Sequence, residues 1–386
     1  MKRRLLIVGT AYAIREHRKK LSFLAKRFDL TCATARECGG FGWIESVEPQ
    51  SSSGDYELIG LPVGGAAYAG TRSWYRGLGS VFCKRPYDLI FVENEPWGVL
   101  RWQSWLLKQL FQRRALFGEF TWENILRDGL KGGILGLAYR LAARTSDFAI
   151  GGNHGAKAIL ERFGTPPART FCLPQFGVDP EIFVPLRESE RAKRKESVGF
   201  PSNARVIAYC GRFVPEKGVL DLLAAFETLP PLPAPIFLAF VGTGPLAAAM
   251  ECAARTDTRI RIFPPMAYPE IATFLQLLDL LVLPSRTSAG PATWWKEQFG
   301  HILIEAMSCE VATLGSNCGA IPEVIGDPEC IFPEGDVAAL AELLRHALGD
   351  RLWIKNKSVA ARNRVLLNYT HEVVAQRYAE ILKPLL

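Results

Sequence analysis

The chain has 386 residues, 48% of them hydrophobic and 22% charged, with a formal net charge of +7. That length suits two domains of ordinary size, and the composition is that of a globular protein rather than a disordered or collagen-like one. The moderate, scattered positive charge fits phosphate-bearing ligands or an anionic surface; it lacks the basic stripe that a nucleic-acid binder needs. No run of 18 apolar residues is present, so no transmembrane helix is expected. Nine cysteines, an odd number with no Cys-x-x-Cys pair, sit in apolar surroundings and read as reduced, buried thiols of a cytoplasmic protein. With five histidines and no ligand spacing, a metal site is not expected.

In chain order, Lys2-Arg3-Arg4 followed by an apolar run mimics a secretory signal. The run is short, and the charged segment Arg15 to Lys20 follows at once, so residues 4–8 are read as a first buried strand turning at Gly9. Short apolar, β-branched runs then alternate with helical patterns. Leu5–Val8 precedes a helix near 14–27, Leu89–Val92 a helix near 97–113, and Phe148–Ile150 a helix near 153–162. This is the pattern of parallel strands buried on both faces.

The charged run 186–197 interrupts the pattern and reads as a solvated linker or an exposed helix start. The alternation restarts with strands at Val206–Tyr209, Pro235–Val241, Arg259–Phe263, Leu280–Leu283 and Val311–Gly315. Helices are expected at Gly218–Glu227, Tyr268–Leu278, near 336–348 and at His371–Leu382. The expected fold is α/β, with two doubly wound Rossmann-like domains facing each other, 1–185 and 198–365, followed by a terminal segment 366–386. Ligands of such sheets bind beyond the carboxyl ends of the strands, which points to the cleft between the domains.

Two segments carry the chemistry. In Gly211-Arg-Phe-Val-Pro-Glu-Lys217-Gly218, a strand delivers Arg212 and a helix begins just after Lys217. Two cations and a helix N-terminus at one spot suit a diphosphate, which needs charges to neutralise it and N–H groups to bind its oxygens. On its own, the same motif is also compatible with a solvated surface turn. In Glu297-Gln-Phe-Gly-His-Ile-Leu-Ile-Glu305, Phe299-Gly300 allows a tight turn into a helix. Eight helical residues span about 12 Å. That exceeds the ~5–5.5 Å of a nucleophile–acid pair in a retaining glycosidase, so the two acids are assigned to different hydroxyl groups. Two ordinary surface glutamates are the alternative. Gly315-Ser-Asn-Cys-Gly319-Ala-Ile-Pro-Glu323 follows a strand and is read as pocket-lining backbone or a structural turn. Gly242-Thr-Gly244 is a weak signal by itself.

In order and spacing these pieces resemble family 4 of the retaining GT-B glycosyltransferases. The resemblance adds Leu173-Pro-Gln-Phe-Gly-Val-Asp-Pro-Glu-Ile-Phe183, Phe240-Val-Gly-Thr-Gly-Pro245, Leu283-Pro-Ser285 and Gly319-Ala-Ile-Pro-Glu-Val324, and covers about 170–335. It implies transfer of a sugar, with retention, from a nucleoside-diphosphate sugar (UDP- or GDP-sugar) to a hydroxyl of a glycan, lipid or small molecule. It implies no metal and no cofactor beyond the donor substrate, because Arg212 and Lys217 counter the diphosphate charge. Glu297 would contact the donor sugar, Glu305 the ribose, and the backbone at Phe299, Gly300 and His301 the sugar or phosphate, with Gly211, Gly242 and Ile302 lining the donor site. It also implies a final helix crossing back to the N-terminal domain, which is adopted for 366–386.

The N-terminal half departs from the family pattern. The usual Gly-Gly loop is replaced by Gly9-Thr-Ala-Tyr12-Ala-Ile-Arg15, and the usual mid-domain histidine by Leu116-Phe-Gly-Glu-Phe-Thr-Trp-Glu123-Asn124. Tyr12, Glu123, Asn124 and His154 are the candidates there for acceptor or donor-sugar contacts. Trp43, Trp74, Trp97, Trp102, Trp105 and Trp122 crowd the first third of the chain. They read either as core or as a surface that stacks on sugars or lies peripherally on a membrane. The Gly/Ser-rich loop around 38–56, on the acceptor side, is read either as shaping the pocket or as a mobile loop. Rival readings are a sugar-nucleotide epimerase or hydrolase, and an inactive nucleotide-sugar-binding protein.

Overall fold

The structure, a computed structural model, describes residues 2–386 except 41–42, 47–50, 53, 66–70, 232 and 291–293. Much of the 38–56 loop therefore lies outside the described residues. The chain divides into two compact units, Met1–Gly177 with His371–Leu386, and Val178–Thr370.

The first unit is built on β1 (Arg4–Gly9), β2 (Asp29–Ala35), β3 (Glu57–Leu61), β4 (Leu89–Glu93), β5 (Leu116–Thr121), β6 (Phe148–Gly151) and β7 (Thr170–Cys172). They run in the order β7-β6-β5-β4-β1-β2-β3, with the short strand Ser51–Ser52 on the outer edge. The seven named strands pair in parallel; Ser51–Ser52 joins antiparallel. Leu5–Val8 and Leu89–Val92 are buried throughout because helices cover both faces. Helix α1 (Lys19–Ala25) links β1 to β2, while α2 (Val99–Phe111) and α3 (Gly129–Thr145) link β4, β5 and β6 in the opposite direction. Right-handed crossovers therefore put α2 and α3 on one face and α1 on the other. The final helix, His371–Leu382, packs against α1 on that second face.

A charge is locked inside this unit. Lys20 Nζ lies 2.9 Å from Glu93 Oε1, both side chains at 0% exposure. Tyr12 Oη donates to the same oxygen at 2.8 Å, and Gln175 Nε2 to the other at 2.7 Å. Lys20 also donates to the Gln175 carbonyl and lies 4.2 Å from the Tyr378 ring centre. Burial pulls the Lys20 pKa down, and Glu93 opposes the shift.

The second unit repeats the plan with β8 (Arg205–Cys210), β9 (Ile236–Val241), β10 (Ile260–Phe263), β11 (Leu280–Leu283), β12 (Ala312–Ser316) and β13 (Ile331–Phe332). The order is β10-β9-β8-β11-β12-β13, all parallel. Register sets Cys210 opposite Val241 and Leu283 opposite Gly315, so the loops that follow leave from one edge. Of the two readings of the charged run, a solvated linker or an exposed helix start, the structure has the helix. The run forms α4 (Glu188–Ser197), whose Lys195 is buried with its ammonium on the Ala204 carbonyl (2.6 Å) and on Asp279 (2.9 Å). Upstream of it, Phe183 O accepts from Ser308 Oγ at 2.6 Å and Val184 O from Gln276 Nε2 at 2.9 Å. These bonds tie the stretch before α4 to the second unit, which begins at Val178. Two of the eight described cysteines, Cys83 and Cys252, are exposed, so the expectation of buried thiols fails for these two.

Breaking a buried ion pair from one side leaves an uncompensated charge. Lys20→Met is expected to destabilise the first unit by about 3–5 kcal/mol, read as a shifted urea midpoint; a loss below about 1 kcal/mol would remove the structural role given to this pair.

Candidate functional site

In the second unit the strand order reverses between β8 and β11. At such a reversal neighbouring loops part and leave a crevice at the carboxyl edge of the sheet. The loop after β8 carries Arg212 and Lys217; the loop after β11 runs from Pro284 to Gly300. They meet through Lys217 Nζ and Glu297 Oε2, 2.6 Å apart. Ser285 Oγ donates to the same carboxylate oxygen at 2.8 Å, and the Lys217 ammonium lies 4.5 Å from the Trp295 ring centre. Arg286 N donates to Glu216 O at 2.8 Å and fastens the loop backbones together. Gly218 is required there: its φ is +65°, and a Cβ would sit 1.8 Å from the Pro284 carbonyl oxygen.

Helix α5 (Val219–Glu227) starts directly after Gly218, and α6 (His301–Ser308) directly after Gly300. Gly300, at φ +79°, turns the chain from Glu297 into α6. Phe299 is buried, with its ring centre 4.8 Å from that of His301 and 5.7 Å from that of Tyr369. Ile302, the second residue of α6, is half-buried. The 315–323 segment docks here too, with Ala320 N donating to Glu297 O at 2.9 Å.

Lys217 and Glu297 are thus brought into direct contact. Arg212 is exposed, and its guanidinium makes no hydrogen bond or ion pair among the described residues; its carbonyl accepts from Tyr209 Oη at 2.7 Å. The amides of Gly211 and Gly242 are taken by the carbonyls of Val241 (2.9 Å) and Phe263 (3.0 Å). These two glycines therefore extend the sheet and offer a ligand no N–H. Glu305 is half-buried on α6 near Cys210, and burial raises its carboxyl to about 7.

In the first unit the candidates lie at the carboxyl edges of β1, β5 and β6. Tyr12 is fully buried with its hydroxyl committed to Glu93, so it is part of the core network rather than an open contact. Glu123 is largely buried, pairs with Arg127 at 3.2 Å, and has its pKa raised by burial. Asn124 is half-buried. His154 is the exposed first residue of a helix that Asn153 caps, the Asn153 Oδ1 accepting from Ala156 N at 2.8 Å.

Sequence reasoning gave no role to three residues, although Leu283-Pro-Ser285 was among the segments that carry the resemblance. Ser285 and Trp295 stand outside the motif that holds Glu297, yet both hold the Lys217–Glu297 pair. Glu95 follows β4, accepts from Trp122 N at 3.0 Å and from Thr121 Oγ1, and is raised by burial to about 7. Its only sequence signal was its place just beyond a buried strand.

The Glu305 shift has a signed consequence. A carboxyl whose pKa is higher in the folded state, about 7 against an ordinary 4.5, stabilises the fold below pH 4.5, and that contribution is lost as pH rises to 7. Glu305→Gln is expected to flatten the ligand-free stability profile of the second unit by about 2–3 kcal/mol over this window, measured by denaturation at several pH values. An unchanged slope would show that Glu305 titrates normally.

Comparison with known proteins bears on the fold and on the second unit. Residues 190–365 match the family described as glycosyl transferases group 1. A curated relative from Corynebacterium glutamicum, the GDP-mannose-dependent monoacylated α-(1-6)-phosphatidylinositol monomannoside mannosyltransferase, is 27% identical over 57% of this chain and 58% of its own. The chain thus spans about half the length of the curated relatives it matches. Two solved structures share the fold over nearly the whole chain. Sucrose-phosphate synthase of Thermosynechococcus elongatus has a TM-score of 0.74 at 18% identity, covering 100% of this chain and 99% of its own. HepE of Anabaena, in complex with UDP, has a TM-score of 0.70 at 16% identity, covering 99% and 100%. Both units are Rossmann-like sheets of the GT-B type, and the chain carries a family 4 domain, glycosyl transferases group 1, over residues 190–365.

Proposed function

We propose that the chain is a retaining glycosyltransferase that moves a sugar from a UDP- or GDP-sugar to an acceptor hydroxyl. The observation that carries this reading is the Lys217–Glu297 contact at the point where strand order reverses, reached by solvent and anchored by Ser285. The names of the similar proteins supply the donor classes: one uses GDP-mannose and another was solved with UDP.

Departure of the nucleotide leaves negative charge on its β-phosphate. In this reading Lys217 and Arg212 stabilise that charge, with the N-terminus of α6 nearby. Glu297 holds Lys217 in place before the donor arrives and takes a sugar hydroxyl afterwards, while Glu305 takes the ribose. A fixed cation is worth more than a mobile one here, because it needs no reorganisation as the bond breaks. Attack comes from the same face as the leaving group, and the acceptor hydroxyl passes its proton to the departing phosphate. Glu123, Asn124 and His154 are the proposed contacts at the first unit's sheet edge. The acceptor class stays at glycan, lipid or small molecule. No helix among the described residues is long and apolar enough to cross a membrane, and the eight described cysteines are free thiols; a cytoplasmic setting belongs to the proposal.

Two measurements test it. A thermal-shift screen of UDP-, GDP-, ADP- and dTDP-sugars should single out one base, since a donor at a hundred times its Kd stabilises the fold by about 2.7 kcal/mol. With that donor, Lys217→Ala should lower kcat by about 10²–10³-fold in a protein that still folds. Wild-type turnover in this variant, or no response to any nucleotide sugar, contradicts the proposal.

A further inference from the structure

Helix α3 carries apolar side chains on its solvent side as well as on its packed side. Its inner side packs on the unit through Gly136, Tyr139, Ala142 and Ala143. Its outer side carries Leu130, Ile134, Leu137 and Leu141, exposed by 83, 60, 55 and 41%. The spacing i, i+4, i+7, i+11 lines these four up along one stripe. Isolated exposed leucines mean little, but a continuous stripe is unusual on a free surface. Helix α2 lies in the same layer and adds Val99, Leu106, Leu110 and Phe111, all exposed. The layer is held firmly. Arg101 of α2, fully buried, pairs with Glu119 of β5 at 2.8 Å and donates to the Ala142 carbonyl (3.2 Å), Thr145 (2.6 Å) and Ser146 (2.8 Å) at the end of α3.

Charge on the two helices has one sign. Neither helix contains an acidic residue. Lys131, Arg140 and Arg144 flank the apolar stripe of α3, Arg113 and Arg114 follow the end of α2, and none of these five forms an ion pair among the described residues. Between 99 and 145 the acids are Glu119, which is buried against Arg101, Glu123, which is buried against Arg127, and Asp128, just before α3. An aliphatic ridge bordered by guanidinium and ammonium groups matches a bilayer with anionic headgroups: the side chains enter the acyl boundary while the cations stay with the phosphates. A protein partner would have to supply both an apolar groove and a dense acidic rim. The exposed face is aliphatic except for Phe111 at the end of α2; Trp102 and Trp105 of α2 are half-buried and pack edge to face at 5.8 Å.

We propose that the outer face of α2 and α3 is a docking surface for an anionic phospholipid membrane. The chain would lie on the bilayer with α3 parallel to it, at a surface built by the first unit alone. The inference is independent of the transfer reaction, since it calls for neither donor nor acceptor.

The test is co-sedimentation of the full chain with vesicles, without nucleotide. Vesicles of phosphatidylcholine with about one-third phosphatidylglycerol should capture the protein, and pure phosphatidylcholine should not. Ile134→Glu combined with Leu137→Glu should weaken capture roughly tenfold or more. Arg140→Gln combined with Arg144→Gln should weaken it on anionic vesicles only. All four positions face solvent, so wild-type thermal unfolding is expected; Leu130→Glu, at the most exposed site, is the reserve variant if the double one folds poorly. Failure of the wild-type chain to bind anionic vesicles, or equal binding by the variants, overturns the proposal. So does a concentration-dependent dimer that Ile134→Glu with Leu137→Glu dissolves in a protein that ignores vesicles, because the face would then join two copies of the chain.

Discussion

An ammonium and a carboxylate eighty residues apart in sequence meet at 2.6 Å, and the second unit's candidate site is arranged around that contact. It exists because β8 and β11 are neighbours in space although two strands and their helices lie between them in the chain. The reversal sends the loops after β8 and β11 apart, and Lys217 and Glu297 join them. Ser285 and Trp295 then fix the two partners, Gly218 permits the close approach of the loops, and Gly300 turns the chain into α6. Remove the charge pair and the loops retain their backbone clamps but lose the group that gives the crevice its chemistry.

The first unit makes an instructive contrast. Its strand order also reverses, between β1 and β4, and a Lys–Glu pair again stands there, Lys20 with Glu93. Burial separates the two cases. Lys20 and Glu93 are sealed, with Tyr12 and Gln175 consuming the remaining bonds, whereas Lys217 and Glu297 retain 15% and 8% of their side-chain surface. Sealed charges of this kind hold elements in register, because no solute can reach them and their separation would be costly. A pair that solvent still reaches can exchange a partner for a ligand. The same local topology thus yields a structural lock in one unit and a candidate binding site in the other.

Much of this was legible beforehand. The strands at 5–8, 89–92, 148–150, 206–209 and 280–283 were readable because parallel strands covered on both faces leave uninterrupted apolar runs. Lys217 and Glu297 were readable because glycine framed them. Lys20 was not: in sequence it belongs to a charged segment, and only three-dimensional packing against Glu93 and Tyr378 takes it into the core. Residues 188–197 looked solvated because nine-tenths of helix α4 is polar, while the one buried group, Lys195, is itself charged. Helix α3 escaped notice for the opposite reason. Its outer face is as apolar as its inner one, and Gly129, Gly132, Gly133 and Gly136 dilute the helical signal. Trp295 and Ser285 were given no part in the pair because the hairpin of Ser288–Ala289 with Trp294–Trp295 separates Ser285 from Glu297 in sequence and closes that gap in space.

The central claim is that the Lys217–Glu297 crevice receives the diphosphate of a nucleotide sugar. A crystal structure of the chain soaked with UDP or GDP tests it most directly. The expected density has the β-phosphate within hydrogen-bonding distance of Lys217 Nζ and the ribose hydroxyls on Glu305. A well-ordered nucleotide bound elsewhere, with the Lys217–Glu297 pair untouched, would contradict the account.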